Sequence, residues 1–128
     1  MRDEICTFDY AVIRLVPRVE REEFFNVGVI LSCPEQKFLE TRIYLDKEKL
    51  KAFAPELKAE TIQHYLDIIP KICAGDKSAG LIGNLSQRER FYWLTAQRST
   101  IVQTSPVHTG ICSDAGKMLD HLFDRMVR

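Results

Sequence analysis

The sequence has no surplus of charge of either sign, with 18 lysines and arginines against 18 aspartates and glutamates in 128 residues. Nucleic-acid-binding domains usually carry a basic excess or stripe. The only basic lean here is Arg88, Arg90 and Arg98, so a nucleic-acid partner is not expected. No apolar run approaches the roughly 18 residues of a membrane span, and the first residues lack the apolar core of a secretory signal. A cytoplasmic protein with no membrane partner is the expectation. Cysteine is sparse and dispersed: Cys6, Cys33, Cys73 and Cys112 include no C-x-x-C pair. They suit neither a local zinc chelate nor a small disulfide scaffold, and buried free thiols are expected. Gly75, Gly80 and Gly83 match neither a dinucleotide fingerprint nor a P-loop. G-x-S-x-G, H-E-x-x-H and an acidic cluster spaced for Mg²⁺ are also missing, so no catalytic residue, metal or cofactor is assigned.

What is there reads as one domain over residues 1–128. The composition, 45% hydrophobic and 28% charged, is that of an ordinary globular chain. From Phe8 to Val16 both parities are apolar, which marks a central strand covered on both faces. The polar run Arg18 to Glu23 turns it into a second strand, Phe24 to Cys33. There Phe25, Val27, Val29, Leu31 and Cys33 share one face by simple alternation. Pro34 to Lys37 turns the chain again into an edge strand with Leu39, Ile43 and Leu45 alternating against Glu40, Arg42 and Tyr44.

Asp46 caps a short helix over 47–53. A longer helix carries the stripe Ile62, Tyr65, Leu66, Ile69, Ile72 and Cys73, with Pro70 expected to kink or shorten it and Gly75 to close it. Ser86-Gln87-Arg88-Glu89 is a capping box opening a helix to about Ala96. Ile101 to His108 reads as a late strand, with Pro106 at an edge or bulge. Ala115, Met118, Leu119, Leu122, Phe123 and Met126 stripe a closing helix. The expected fold is therefore α+β, in the order β-β-β-α-α-α-β-α. An antiparallel sheet of about four strands, three in an N-terminal meander and one late, is covered by helices on one side.

The runs Tyr10 to Leu31, Arg88 to Ala96 and Gln97 to Gly110 resemble a bacterial family designated domain of unknown function, number three-zero-three-seven. The resemblance spans nearly the whole chain. It implies a short stand-alone bacterial protein, often encoded beside a HipA-like kinase, and hence an association with a kinase or a toxin–antitoxin pair. Family members often have Gly in the first hairpin loop where this chain has Glu22.

Two polar groups stand out. Arg14 interrupts an apolar strand face; it either pairs with an acid such as Glu20 or floors an anion site with Asn26. A hairpin symmetric about Glu20 sets Arg14 opposite Asn26 and Val12 opposite Gly28. The second group, Arg90, Arg98, Ser99, Gln103, His108 and Thr109, is rich in phosphate-binding side chains. Arg14, Asn26, Arg98, Ser99 and His108 are the candidate anion or ligand-binding residues. Trp93, Phe91 and Tyr92 are expected to pack rather than to stack a base. Because no catalytic constellation emerges, the first expectation is a non-catalytic binding or regulatory module acting with a protein partner, a HipA-like kinase among the candidates. A phosphate- or nucleotide-handling enzyme or ligand-binding domain is the alternative, and nucleic-acid binding comes third.

Overall fold

The computed structural model describes residues 4–128, the side chain of Val19 excepted. Its elements are β1 (Cys6–Leu15), β2 (Phe25–Cys33), β3 (Phe38–Ile43), α1 (Lys47–Phe53), α2 (Ala59–Ala74), α3 (Gln87–Thr95), β4 (Val102–Thr104), β5 (His108–Cys112) and α4 (Ala115–Met126). Tight 3-10 turns occupy several connections, including Lys77–Asn84, where the sequence suggested only a loop. The α+β class holds, and all strand pairs are antiparallel. β1 is central: β2 and then β3 lie on one side of it, and β4 and β5 occupy the other.

Two features of the sheet differ from simple alternation. The late strand is two strands, because Pro106 has no N–H to continue a ladder. Just before it, the buried Ser105 covers both backbone groups of Val12. Its N–H donates to the Val12 carbonyl at 2.8 Å, and its Oγ accepts the Val12 N–H at 2.9 Å. The second feature is a β-bulge. Ile13 pairs with Gly28 but Arg14 pairs with Asn26, so Val27 is an extra residue in β2. The bulge reverses the facing of β2: Phe25, Val27 and Ile30 join one core, while Val29, Leu31 and Cys33 join the other. The expected Arg14–Asn26 pair is present, but Val12 lies opposite Val29 rather than Gly28. Gly28 is required for a different reason, since a Cβ there would sit 2.7 Å from the Arg42 carbonyl oxygen of β3.

Helices cover both faces of the sheet, not one. Ile13 and Leu15 of β1 face a core built with Leu50, Ile62, Leu66, Ile72, Phe91 and Leu94 of α1, α2 and α3. Cys6 and Phe8, of opposite parity, face Ala115, Leu119 and Leu122 of α4. Local signals set the helix ends: Asp46 accepts from the N–H groups of Glu48 and Lys49, and Ser86 with Glu89 forms the full capping box. Gly75 closes α2 in the left-handed region at φ 69°. Pro70 does not end α2, which runs on to Ala74. Glu22 also sits at left-handed φ 57°, in the loop between β1 and β2. A side chain there costs about 1 kcal/mol relative to glycine.

Two stability predictions follow from this packing. Leu122 is 8% exposed against the α4-face core, so Leu122→Ala should lower stability by about 2–5 kcal/mol in urea melts. Asp120→Ala, which loses only an exposed bridge to Arg42, should lower it by no more than about 1 kcal/mol. Burial pushes the Cys73 thiol from its ordinary 9.0 up to about 12, against the opposing influence of Arg90, and burial also raises Cys33 and Cys112. Thiols held protonated in the fold stabilise it fully below pH 9, and that stability is lost as pH rises from 9 toward 12. The urea midpoint should therefore fall above pH 9. Cys73→Ala should make that fall shallower, by up to about 1.4 kcal/mol per pH unit.

Candidate binding groove

The outer sides of α2 and α3 do not close against β4, and the gap is a groove of about 570 Å³. Tyr65 and Ile68 of α2 form one wall, Trp93 of α3 another, and Ile101 and Val102 lead along the strand side. These are apolar surfaces open to water: Tyr65 is 51% exposed, Trp93 40% and Ile68 38%. Tyr65 thus leaves the buried stripe that the sequence assigned it to, whereas Ile62, Leu66, Ile69, Ile72 and Cys73 remain in it. Phe91 packs in the core as expected, but its neighbour Trp93 does not.

Arg98 fixes the Trp93 wall. Its Nη1 donates to the Leu94 carbonyl at 3.3 Å, its Nη2 donates to the Trp93 carbonyl, and its guanidinium lies 4.4 Å from the centre of the Trp93 ring. The guanidinium thereby satisfies carbonyls that the last turn of α3 leaves unpaired. The strand side is tied down as well. Thr100 Oγ1 donates to the Val102 carbonyl at 2.9 Å, and Gln103 Nε2 donates to the Thr100 carbonyl at 2.7 Å. Toward β1, Val16 N–H donates to the Ile101 carbonyl and Ser105 N–H to that of Val12. Alternation then turns the N–H groups of Val102 and Thr104 away from β1, toward the sheet edge.

The site residues expected from sequence are divided by the sheet. Arg14 and Asn26 do meet, as cross-strand partners on the α4 face. Asn26 Nδ2 donates to the Met126 carbonyl at 2.9 Å, while Arg14 stacks 4.1 Å over Phe24. Arg14 Nε and Asn26 Oδ1 are both buried without a hydrogen-bond partner. Among the described residues no carboxylate forms an ion pair with Arg14, so the pairing with Glu20 is not made.

Arg98 and the exposed Ser99 lie beyond β1, on the α2–α3 side. His108 pairs with Tyr10 and its ring stacks on that tyrosine at 5.3 Å. Tyr10 and Arg14 are four positions apart on β1, roughly 13 Å along an extended strand. Thr109 donates to Asp9 at 2.6 Å, and Arg90 caps α2 by donating to the carbonyls of Ile72 and Cys73 at 3.0 and 2.7 Å. Apart from the exposed Ser99, each polar residue of the second group is thus placed by its own local contact. Among the described residues no group of three or more His, Cys, Asp or Glu side chains could hold a metal ion, and no helix is long and apolar enough to cross a membrane.

Arg14→Ala should therefore be more harmful than Arg42→Ala. Removing Arg14 strips its guanidinium from the Phe24 ring and its stem from the strand face, a loss of about 1 kcal/mol or more. Arg42 instead pairs with Glu40 and Asp120 at the surface, at 3.4 and 3.1 Å, where such bridges contribute about 0–1 kcal/mol. Equal urea midpoints for the two variants would contradict this placement.

A comparison with curated proteins and one with solved structures gave no match. The family comparison did: residues 10–127 match the model described as Protein of unknown function (DUF3037), which takes in β1 from Tyr10 onward, the other four strands and all four helices. The chain belongs to that family.

Proposed function

We propose that this protein is a non-catalytic binding module whose groove between α2, α3 and β4 receives an extended segment of a protein partner. The observation that carries the reading is the half-exposed aromatic lining, Tyr65 and Trp93 with Ile68 between them, beside a sheet edge. Isolated apolar side chains on a surface need no explanation, but a concave apolar patch next to an open strand suits an added strand. The outward N–H groups of Val102 and Thr104 would pair with the incoming backbone. Alternate apolar side chains of the segment would then fall against Trp93 and Ile68. A HipA-like kinase, the partner implied by the family resemblance, is the first candidate. A cytoplasmic setting accords with such a partner.

Trp93 is the only tryptophan in the chain, so its emission reports on the groove directly. Titration with a HipA-like kinase should shift that emission to shorter wavelength as the ring loses water. Ile68→Glu should weaken the complex at least tenfold, because a carboxylate would have to be desolvated against the aromatic wall. Ile111→Glu, on the exposed side of β5, should leave it unchanged. Kinase binding with no emission shift and no effect of Ile68→Glu would remove the groove from the reading. Absence of binding would remove the kinase.

A further inference from the structure

Three of the four cysteines, far apart in sequence, meet at one end of the sheet. Cys6 opens β1, Cys112 ends β5, Cys33 ends β2, and all three belong to the buried cluster beneath α4. Cys6 and Cys112 are direct cross-strand partners. Opposed residues of an antiparallel pair have Cα atoms about 4.5 or 5.5 Å apart, according to whether they exchange hydrogen bonds. Both values fall inside the span of about 4.4–6.8 Å that a disulfide bridges.

Cys33 sits differently. The pairing of Asp9 with Ser32 carries it beside Phe8, diagonal to Cys6. Diagonal positions are roughly 7–8 Å apart, at or beyond the limit for a bridge. Its thiol nonetheless lies against its neighbours, since contact with Cys6 raises Cys33 and contact with Cys33 raises Cys112, each after the larger influence of burial. The three do not form a group that could hold a metal ion. A route from solvent exists at one of them: Cys6 lines a surface pocket of about 540 Å³ together with Glu35, Gln36, Ser113 and Asp114.

We propose that Cys6 and Cys112 form a reversible redox site, which a small neutral hydroperoxide converts to a cross-strand disulfide. Cys6, the thiol on the pocket, attacks the peroxide oxygen. This gives a sulfenic acid and expels water, or an alcohol from an organic peroxide. The Cys112 sulfur then attacks the Cys6 sulfur, the S–O bond breaks, and a second water leaves. With hydrogen peroxide the balance is two thiols and one peroxide to one disulfide and two waters; the sulfurs lose two electrons and the peroxide gains them. A dithiol reverses it by exchange, returning two thiols and leaving as its own cyclic disulfide. The bond would tie the start of β1 to the end of β5 and close most of the chain into one loop. The oxidised protein should therefore resist urea better than the reduced one.

Trypsin separates the four cysteines onto four different peptides, so the pairing can be read without ambiguity. The full-length protein is oxidised with hydrogen peroxide under native conditions, its remaining thiols are alkylated, and the digest is mapped by mass spectrometry with and without dithiothreitol. The expected result is a Cys6–Cys112 cross-linked pair lacking two hydrogens, with Cys33 and Cys73 alkylated and full reversal by the dithiol. The urea midpoint should rise on oxidation. Cys33→Ser should still form the bond, and Cys6→Ser should not. A bridge containing Cys33 or Cys73, stable sulfinic or sulfonic acid at Cys6 without a bridge, or four intact thiols under conditions that oxidise the urea-unfolded chain would each overturn the proposal.

Discussion

The structure depends on one constraint, the double burial of β1. Ala11, Ile13 and Leu15 are fully buried on one face, and Phe8 and Val12 are nearly so on the other. β1 also pairs along both edges, with β2 on one side and β4 and β5 on the other. A strand enclosed on four sides can form only when all its neighbours are in place. The two helical layers therefore stand or fall together, although α1, α2 and α3 share little contact with α4 across the sheet. Burial of this kind supplies most of the driving force for folding and leaves no room for an unpaired backbone group. The hydroxyl of Ser105 at Val12 shows how closely that requirement is met where the strand on that side breaks.

The same requirement explains what became of the polar side chains that suggested an anion site. Arg90 and Arg98 cap the C-terminal carbonyls of α2 and α3, Gln103 donates to the Thr100 carbonyl, and Asn26 donates to the end of α4. Guanidinium and amide groups suit a phosphate and a helix end for one reason: both present clustered oxygen acceptors. Composition alone does not distinguish the two uses. Once those contacts are made, the apolar lining of the α2–α3–β4 groove is left without a structural role.

Much of the fold was legible because its signals are local or periodic. The two-parity run in β1, the cap at Asp46, the capping box at Ser86 and the stripe of α4 each appear in the structure where the pattern put them. The bulge was not legible, since Val27 is apolar and suits either face; only the close approach of β3 to Gly28 reveals which way the strand turns. The split at Pro106 was half visible, because proline signals an interruption but not that the chain resumes on the same neighbour. Cover on both faces is implied by the parities of β1, but the helices carry no register in the sequence that assigns them to a side. Tyr65 and Trp93 carried a weaker signal. Each sits beside an apolar residue off the buried stripe, Ile68 or Tyr92, which widens the stripe beyond what a core needs. The meeting of Cys6, Cys33 and Cys112 had no signal, being a product of strand order alone.

Amide hydrogen exchange resolved by NMR tests the organising role of β1, and the open edge beside it, most directly. The account predicts that the amides of Ala11 to Leu15 exchange only through global unfolding, with the urea dependence of the whole protein, while those of Val102 and Thr104 exchange orders of magnitude faster. Local exchange of the β1 amides, or protection of Val102 and Thr104 equal to theirs in the isolated protein, would contradict it.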